Sequence, residues 1–315
     1  MDKQNIYIGI DTSNYTTSIG VCDENGNIIA NIKKLLDVKE GERGLRQSDA
    51  VFSHVKNFPI LALELEKVAK NCNIKAVGVS SVPRDAEGSY MPCFLTGKAM
   101  AEVLAATHGV PVYEFSHQAG HIMAALYSSN HSKELLNGDF VAFHVSGGTT
   151  EALYVTPKDN KFEVKIIAET ADISAGQAID RAGVLMGLKF PCGREIESLA
   201  DQYNGKINKP RICVKNGKCN LSGLENIAEK LFNETNDKIF VAAYVMNFIA
   251  QTLKKLTQDI REEYPDIPIL YAGGVMSNKY LQNELSRFDK TYFATPEFSA
   301  DNAAGIALLT YRSNK

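Results

Sequence analysis

The sequence lacks tryptophan, long apolar runs and paired cysteines, and each shortage excludes a class of protein. Its six cysteines occur singly, without a Cys-x-x-Cys motif, which excludes a zinc ribbon, a dithiol redox motif and a disulfide-stabilised miniprotein. No apolar stretch approaches the roughly 20 residues that a membrane-spanning helix requires. The first residues lead into a strand-like segment without the apolar core of a signal peptide. We therefore expect a cytoplasmic protein with reduced thiols and no membrane contact.

The chain also lacks an excess of positive charge. Its 34 lysines and arginines face 37 acidic residues, for a formal net charge of −3, so no basic field over the whole chain indicates nucleic-acid binding. Residues 206–218 are a local exception, with five cations and no acidic residue: Lys206, Lys209, Arg211, Lys215 and Lys218. The segment is interpreted either as a contact for RNA phosphates or as a solvated hairpin, and the residues alone favour the hairpin.

The composition is that of an ordinary globular protein, and one pattern occurs twice. At 315 residues, with 44% hydrophobic and 23% charged residues, the chain is long enough for two lobes. The succession of strand, polar loop, strand, turn and strand over residues 6–30 recurs over residues 140–167, which suggests an internally duplicated α/β architecture. We expect residues 1–115 to form one lobe, with residues 295–315 packing back on it, and residues 116–294 to form the other.

Apolar residues at helical spacing fill the gaps between the strands. They predict helices at residues 54–71, 96–107, 117–128, 173–188 and 239–262. Asp172 is a candidate N-cap for the fourth of these helices, and a last helix is expected from about Ala300.

Polar loops follow three of the predicted strands. They are Asp11-Thr12-Ser13, Ser146-Gly147-Gly148-Thr149-Thr150 and Gly273-Gly274-Val275. Glycines and hydroxyls at such turns let backbone N–H groups converge on phosphate oxygens. A single glycine-rich turn usually only reverses the chain, but three in one chain favour a nucleotide-phosphate site.

His117 and His121 are four residues apart in a predicted helix, so their imidazoles share one face, as metal ligands do. Two histidines on an amphipathic helix are more often ordinary polar residues, and the spacing alone leaves both interpretations open. A metalloprotease would need a glutamate beside the first histidine, but Gln118 stands there and cannot take a proton. Asp301 could supply a third ligand or could cap the last helix.

Asp180 and Glu197 flank a turn that contains Gly187 and Gly193. Carboxylates around a glycine turn can hold ribose or substrate hydroxyls. They can equally be solvated helix charges, which the residues alone favour.

Short motifs occur along the chain in an order that is specific as a set. They are Gly9-Ile10-Asp11-Thr12-Ser13, His117-Gln118-Ala119-Gly120-His121, Val145-Ser146-Gly147-Gly148, Ala175-Gly176-Gln177-Ala178-Ile179-Asp180, Gly187-Leu188 with Pro191-Cys192-Gly193, Leu221-Ser222-Gly223-Leu224, Ala272-Gly273-Gly274-Val275-Met276-Ser277-Asn278 and Ala300-Asp301-Asn302-Ala303-Ala304. Over nearly the whole chain this order resembles the TsaD/Gcp family, the tRNA threonylcarbamoyladenosine synthases once described as O-sialoglycoprotein endopeptidases. The resemblance implies an α/β, duplicated actin/Hsp70/sugar-kinase fold, with two lobes around a nucleotide cleft.

The resemblance also implies site residues and ligands. The metal ligands would be His117, His121 and Asp301, holding one divalent iron or zinc ion, with magnesium as a further candidate. Asp11 and Ser146 would be catalytic. An adenine nucleotide or threonylcarbamoyl-adenylate would contact His144, Val145, Ser146, Gly147, Gly148, Asp180, Gly193, Glu197 and Asn278.

The family reaction moves a threonylcarbamoyl group from its adenylate to N6 of A37 in tRNA. A metal near the carbonyl would polarise it as the tetrahedral centre forms. The resemblance therefore implies a metal-dependent acyltransferase rather than a peptidase, with tRNA as a partner. TsaB-like and TsaE-like accessory proteins, or a second copy of the chain, would complete its complexes.

The chain departs from the family motifs near the expected reacting centre. Tyr15 and Thr16 stand where the family has acidic residues, and Thr149 replaces the histidine after the double glycine. Arg84 lies where the family has a glycine-rich turn, and Ala119 replaces the glutamate of the helical motif. These departures predict a diverged paralogue, which either uses another carbamoyl acceptor or donor or is a nucleotide-binding scaffold. A sugar or acetate kinase is a weaker alternative, because the second polar loop offers no acidic residue for magnesium.

Overall fold

The structure is a computed structural model that describes residues 3–13, 15–37, 46–298 and 303–315. The chain divides into two compact units, each built around one sheet. The first unit comprises Met1–Asn130, Pro157–Glu163 and Glu297–Lys315, and the second comprises His131–Thr156 and Val164–Pro296. Two predictions fall outside the described residues: Asp301 as a metal ligand and Ala300 as the start of the last helix.

The helices and strands of the described residues alternate along the chain. The strands are β1 (Gln4–Asp11), β2 (Thr16–Asp23), β3 (Ile28–Leu35), β4 (Cys72–Val82), β5 (Val112–Ser116), β6 (Phe140–Val145), β7 (Thr150–Lys158), β8 (Lys161–Thr170), β9 (Cys213–Lys215), β10 (Lys218–Asn220), β11 (Ile269–Ala272) and β12 (Thr291–Phe293). The helices are α1 (Gln47–Ala69), α2 (Phe94–His108), α3 (His117–Ser128), α4 (Ser132–Leu135), α5 (Ala175–Leu185), α6 (Gly193–Ala200), α7 (Gly223–Thr235), α8 (Lys238–Glu263), α9 (Lys279–Leu285) and α10 (Ala304–Ser313), with 3-10 turns at Gly274–Ser277 and Pro296–Phe298.

The sheet of the first unit has the strand order β3-β2-β1-β4-β5. β1, β4 and β5 run parallel, and β2 is antiparallel to both β1 and β3. One face of the sheet is apolar and packs against α1 and α2 in a core that contains Ile8 and Val79. Because the three parallel strands end at the same edge, Asp11, Val82 and Ser116 lie at that edge.

The opposite face of this sheet carries a row of glycines beneath α10. Gly20, Gly9 and Gly78 are direct neighbours on β2, β1 and β4. A Cβ added to Gly9 would overlap the backbone of Ala307, and one added to Gly78 would overlap the side chain of Thr310. The row therefore lets α10 lie directly on the sheet backbone.

α10 packs equally closely on α3. A Cβ added to Gly305 would overlap the carbonyl oxygen of Gly120, and one added to Gly120 would lie 2.8 Å from Cδ1 of Ile306. This packing makes α3 part of the first unit. The predicted lobe boundary at residue 115 would instead assign α3 to the other lobe.

The sheet of the second unit has the order β12-β11-β6-β7-β8-β10-β9. From β8 to β12 it repeats the first sheet, with β6 antiparallel to β7 and parallel to β11, and with β11 parallel to β12. The repeated topology confirms the predicted duplication and the α/β class. The small hairpin of β9 and β10 extends the second sheet beyond the repeat.

The predicted helices are present, with differences at their ends. α3 has the predicted bounds, whereas α1 begins earlier than predicted, at Gln47, and contains Pro59. α5 begins at Ala175, and its N-cap is Ser174 rather than Asp172, because Ser174 and Gln177 form a capping box. None of the helices that the structure describes combines the length and the apolar composition needed to cross a membrane.

Replacing Gly305 by alanine tests the packing of α10 on α3. Helix propensity alone would favour the alanine by up to about 1 kcal/mol. The added Cβ instead overlaps the carbonyl oxygen of Gly120, so we expect the free energy of unfolding to fall by about 1–3 kcal/mol in urea denaturation. Gly138→Ala is the control, because its Cβ would meet no atom within 4 Å. Equal stability of the two variants would contradict this packing.

Candidate functional site

Asp11, His117 and His121 come together in the first unit. Asp11 is the last residue of β1, and His117 is the first residue of α3, which begins directly after β5. His117 Nδ1 lies 2.8 Å from Asp11 Oδ2, and His117 Nε2 lies 2.9 Å from His121 Nε2. The two histidines therefore share one face of α3, as predicted, and Asp11 joins them across 106 sequence positions.

The start of α3 is held in place from both sides. Ser116 caps the helix by accepting a hydrogen bond from the Ala119 amide at 3.1 Å, and its hydroxyl donates to Asp85 Oδ2 at 2.6 Å. The Gln118 amide donates to the carbonyl oxygen of Pro83 at 3.1 Å. Ser116 and Asp85 were not predicted from the sequence, although a serine directly before a helical motif is a recognisable N-cap signal.

Asp11 is ionised although it is almost completely buried. It is 1% exposed, and its Oδ1 accepts a hydrogen bond from the Ser13 amide at 2.8 Å. Burial raises the pKa of Asp11, but the charge and hydrogen bond of His117 and the Ser13 amide outweigh burial and hold that pKa well below its usual range. A carboxylate only accepts, so His117 donates from Nδ1 to Asp11. A metal ion bound at Nε2 would take the place of any proton on that nitrogen.

This donor set fits a divalent metal ion. Histidine ligands of metals commonly donate their other ring N–H to a carboxylate, as His117 does to Asp11, and this contact fixes the tautomer and the ring orientation. Two imidazole nitrogens suit zinc and iron alike. Within the described residues no three His, Cys, Asp or Glu side chains converge as a metal site. The third predicted ligand, Asp301, lies outside those residues.

Buried polar contacts tie the loop after β1 to α2 and the start of β2 to α1. Thr12 Oγ1 donates to the carbonyl oxygen of Cys93 at 2.9 Å, at the start of α2. Thr17 Oγ1 lies 2.9 Å from Nδ1 of His54 and accepts a hydrogen bond from Asn57, both on α1. Burial lowers the pKa of His54 to about 4, so this ring is neutral near pH 7. The sequence offered no signal for these contacts.

In the second unit, the glycine loop after β6 is closed by its own serine. Ser146 Oγ accepts hydrogen bonds from the amides of Gly148 and Thr149 at 3.3 and 3.1 Å. Ser174 Oγ, at the start of α5, donates to the carbonyl oxygen of Gly147 at 2.7 Å. The contacts of Ser146 support the shape of the loop, and its predicted catalytic role stays a prediction.

Two further glycines clamp this loop. A Cβ at Gly176 would lie 2.5 Å from Gly147 Cα. Gly273 adopts a φ of 103°, and a Cβ there would overlap the carbonyl oxygen of Val145. The N-terminus of α5 and the end of β11 are thereby held against the glycine loop.

A second set of glycines faces open space instead. A Cβ added to Gly147, Gly148, Gly193 or Gly274 would meet no atom within 4 Å. Packing within the protein therefore does not require glycine at these positions. A phosphate group can approach backbone N–H groups most closely where no side chain intervenes. These open glycines therefore favour a nucleotide-phosphate site in the second unit.

Asp180, Glu197 and Asn278 connect α5, α6 and α9. Asp180 Oδ1 accepts a hydrogen bond from the Cys192 amide at 2.7 Å, directly before Gly193, and burial raises the pKa of Asp180. Glu197 Oε1 accepts from the Lys279 amide at 3.0 Å, and Asn278 Oδ1 caps α9. Four of the predicted ligand residues, Asp180, Gly193, Glu197 and Asn278, thus form one connected group. The hydrogen bonds described here join parts of the protein to each other and do not by themselves indicate a ligand.

A cavity of about 390 Å³ adjoins this group, between the end of α6, α8 and the start of α9. The hydroxyl of Tyr280 lies 3.3 Å from Asn247 Oδ1 in its wall. The cavity is lined by Ala200, Asp201, Tyr203, Gly205, Ile207, Ala243, Met246, Asn247 and Tyr280. Its volume falls within the range of small-molecule pockets.

The predicted site residues therefore form two groups, one in each unit. His144 and Val145 end β6 at the glycine loop, His144 half-buried and Val145 fully buried. Of the positions that depart from the family motifs, Arg84 and Tyr15 are exposed, Tyr15 by 38%, Thr149 is half-buried, and Thr16 and Ala119 are buried.

Solved structures with a similar fold define the class of this protein. Component A of the (R)-2-hydroxyglutaryl-CoA dehydratase of Acidaminococcus fermentans aligns with a TM-score of 0.54 at 14% identity, over 99% of each chain. A ROK family glucokinase from Streptomyces griseus aligns with a TM-score of 0.51 at 13% identity, over 97% of this chain and 99% of the kinase. The protein therefore has the actin/Hsp70/sugar-kinase fold that the sequence predicted.

Sequence comparison narrows this class to one family. A profile of the TsaD family, tRNA N6-adenosine threonylcarbamoyltransferase, matches residues 28–308. A protein of that name from Streptococcus pneumoniae (strain Hungary19A-6) is 31% identical over 298 residues, which cover 90% of this chain and 84% of the relative. One from S. pneumoniae serotype 2 (strain D39 / NCTC 7466) is 30% identical over 97% of this chain. The chain belongs to the TsaD family of tRNA threonylcarbamoyltransferases.

Asp172, which was predicted to cap α5, instead holds the segment before α7. Its carboxylate accepts hydrogen bonds from the Leu221 amide at 2.8 Å and from the Ser222 hydroxyl at 2.6 Å. Burial raises the pKa of Asp172, but these hydrogen bonds outweigh burial and hold that pKa well below its usual range.

The stability that Asp172 contributes should depend on pH. Because its pKa is lowered on folding, the contribution is complete above the unfolded pKa of about 4 and is lost as the pH falls below it. We expect Asp172→Asn to lower the free energy of unfolding by about 1 kcal/mol at pH 7, a small effect because the carboxylate is largely solvated. The difference from the wild type should shrink toward pH 3, as measured by urea denaturation. A difference that stays constant with pH would contradict this assignment.

Proposed function

We propose that this chain transfers a threonylcarbamoyl group from an adenylate to N6 of A37 in tRNA, with a divalent iron or zinc ion at His117 and His121. The observation that carries the proposal is the pair of facing Nε2 atoms, 2.9 Å apart and oriented by the ionised carboxylate of Asp11, in a member of this family. Asp301 would be the third ligand. A tRNA substrate would place the reaction in the cytoplasm.

The residues of the first unit would orient the metal ligands. Asp11 keeps the proton of His117 on Nδ1, so that Nε2 stays available, and the Ser116 cap fixes the first turn of α3. A metal bound here supplies Lewis-acid polarisation of the carbamoyl carbonyl. Asp11 touches His117 rather than the solvent, so its contacts support a positioning role in place of the catalytic role that the sequence suggested.

The residues of the second unit would hold the adenylate. The open glycines Gly147, Gly148, Gly193 and Gly274 would admit the phosphate, and Asp180 would bind a ribose hydroxyl through Oδ2, which accepts no hydrogen bond from the described residues. The cavity beside α9 is large enough for an adenine base. The glucokinase with the same fold was solved in complex with AMPPNP, which supports an adenine nucleotide in this chain.

A transfer assay tests the function and the metal ligands together. Purified protein receives unmodified tRNA and threonylcarbamoyl-adenylate, with and without TsaB-like and TsaE-like proteins, and mass spectrometry measures modified adenosine and bound metal. We expect His117→Ala to lose the metal and at least about 100-fold in activity, and Asp11→Asn to bind the metal about 10–100-fold more weakly.

His108→Ala is the matched control, because this histidine is exposed on α2 and should change neither quantity. Full metal content in His117→Ala would overturn the metal assignment. Bound metal and nucleotide without modified adenosine in any mixture would overturn the tRNA reaction. That result would favour a different carbamoyl acceptor, as the departures at Tyr15 and Thr149 allow.

We also propose that an accessory protein covers the outer face of α1 and α2. Half of the large hydrophobic side chains that are exposed among the described residues lie on these two helices: Phe52, Val55, Ile60, Leu63, Leu95, Met100 and Val103. Exposed apolar side chains concentrated on two helices that contact each other are typical of protein interfaces.

Charge substitution tests this surface. We expect Leu63→Glu, at a side chain that is 62% exposed, to weaken binding of the TsaB-like protein at least about 10-fold in titration calorimetry. Leu35→Glu is the control, because Leu35 is 71% exposed but lies on β3. Self-association that only Leu63→Glu removes would identify a second copy as the occupant instead, and unchanged behaviour of both variants would overturn the proposed surface.

A further inference from the structure

The second unit carries a concentration of positive charge that its own contacts leave largely unbalanced. Residues 202–224 contain five cations and no acidic residue, in a chain whose net charge is −3. We call these five residues the basic strip: Lys206, Lys209, Arg211, Lys215 and Lys218. All five are exposed, and among the described residues only Lys218 pairs with a carboxylate, that of Glu169.

The hairpin of β9 and β10 places two cations of the basic strip directly opposite each other. Lys215 pairs with Lys218 across the antiparallel strands, so both side chains stand on the same exposed face. Like charges in directly opposed positions destabilise a strand pair. Of these two lysines, Lys218 alone has a compensating carboxylate within the described part of the chain. Folding of the hairpin therefore does not explain why a cation stands at Lys215.

The backbone anchors the strip at two places. Asn216 and Gly217 form a two-residue turn with φ values of 51° and 71°, the turn that hairpins favour, and this turn sets the register of the opposed lysines. Earlier in the segment, Pro210 is buried between the exposed side chains of Lys209 and Arg211. The strip is thus anchored at its middle and at its end.

We propose that the basic strip binds the phosphate backbone of tRNA. Lys206, Lys209, Arg211 and Lys215 have no carboxylate partner among the described residues, so they are free to neutralise phosphates, and binding then releases counterions from the nucleic acid. The described residues 202–224 include no exposed aromatic side chain, so they are suited to contact the phosphate backbone rather than to stack on bases. The inference rests on the proposed function. It adds to the proposed metal ligands and nucleotide-binding residues a surface that would hold the tRNA substrate.

Neutralisation of the strip tests the inference directly. Lys206, Lys209, Arg211 and Lys215 are changed together to glutamine, and binding of unmodified tRNA is measured by fluorescence anisotropy between 50 and 200 mM salt. We expect at least about 30-fold weaker binding at 100 mM salt and a salt slope that falls by roughly three to four. The control changes the same amount of charge elsewhere: Lys33, Lys70, Lys75 and Lys238, all to glutamine.

Equal tRNA binding by the strip variant and the control variant would overturn the inference while leaving the proposed function intact. Absence of tRNA binding by the wild-type protein, alone and with its accessory proteins, would instead overturn the proposed function.

Cys213 supplies a second test that needs no substitution. It is exposed between Arg211 and Lys215, whereas Cys72 is half-buried in the first unit. We expect tRNA to slow maleimide labelling of Cys213 at least about 5-fold at low salt and to leave labelling of Cys72 unchanged. Labelling of Cys213 at the same rate with and without saturating tRNA would contradict contact at the strip.

Discussion

The close approach of α10 to its neighbours is the constraint on which the first unit depends. The glycine row at Gly20, Gly9 and Gly78 lets α10 lie on the sheet backbone, and Gly305 lets it touch α3 at Gly120. α3 begins with the two histidines of the candidate metal centre. A side chain at any of these glycines would push apart the elements that carry Asp11 and His117. Positions far from any ligand thus set the distance between the buried carboxylate and the imidazole.

The two units use the ends of equivalent strands for different chemistry. In the first unit, β1 ends in a buried carboxylate that orients a histidine, so the edge of the sheet offers ring nitrogens. In the second unit, the equivalent strand β6 ends in a serine-closed glycine loop, so the edge offers open backbone. The duplicated fold therefore presents imidazole nitrogens at the strand edge of one unit and open backbone at the strand edge of the other. These are the donor types that the proposed metal and phosphate ligands would need.

Much of this arrangement could be predicted from the sequence, and the remainder depended on contacts between distant residues. The duplication and the bounds of α3 followed from local patterns, because periodicity and turn residues act over a few positions. The lobe boundary and the N-cap of α5 did not. The glycines under α10 matter only for packing against that distant helix. In the local sequence both Asp172 and Ser174 are candidate N-caps, and the contacts of Asp172 with Leu221 and Ser222 are what exclude it. The role of Asp11 was likewise invisible, because its partner is 106 residues away.

The departures from the family motifs differ in how far they are buried. Thr16 and Ala119 are buried, Arg84 and Tyr15 are exposed, and Thr149 is half-buried. None of them replaces Asp11, Ser116 or a histidine, and Ser116 caps α3 through the backbone amide of residue 119, so the contacts that orient His117 are present. The apolar Ala119 leaves no buried charge to be paired, since an unpaired buried carboxylate costs several kcal/mol. The exposed departures change which side chains meet a bound ligand from the solvent side. Divergence of this kind favours a retained transfer reaction whose acceptor or donor is positioned differently, over a scaffold that has lost its chemistry.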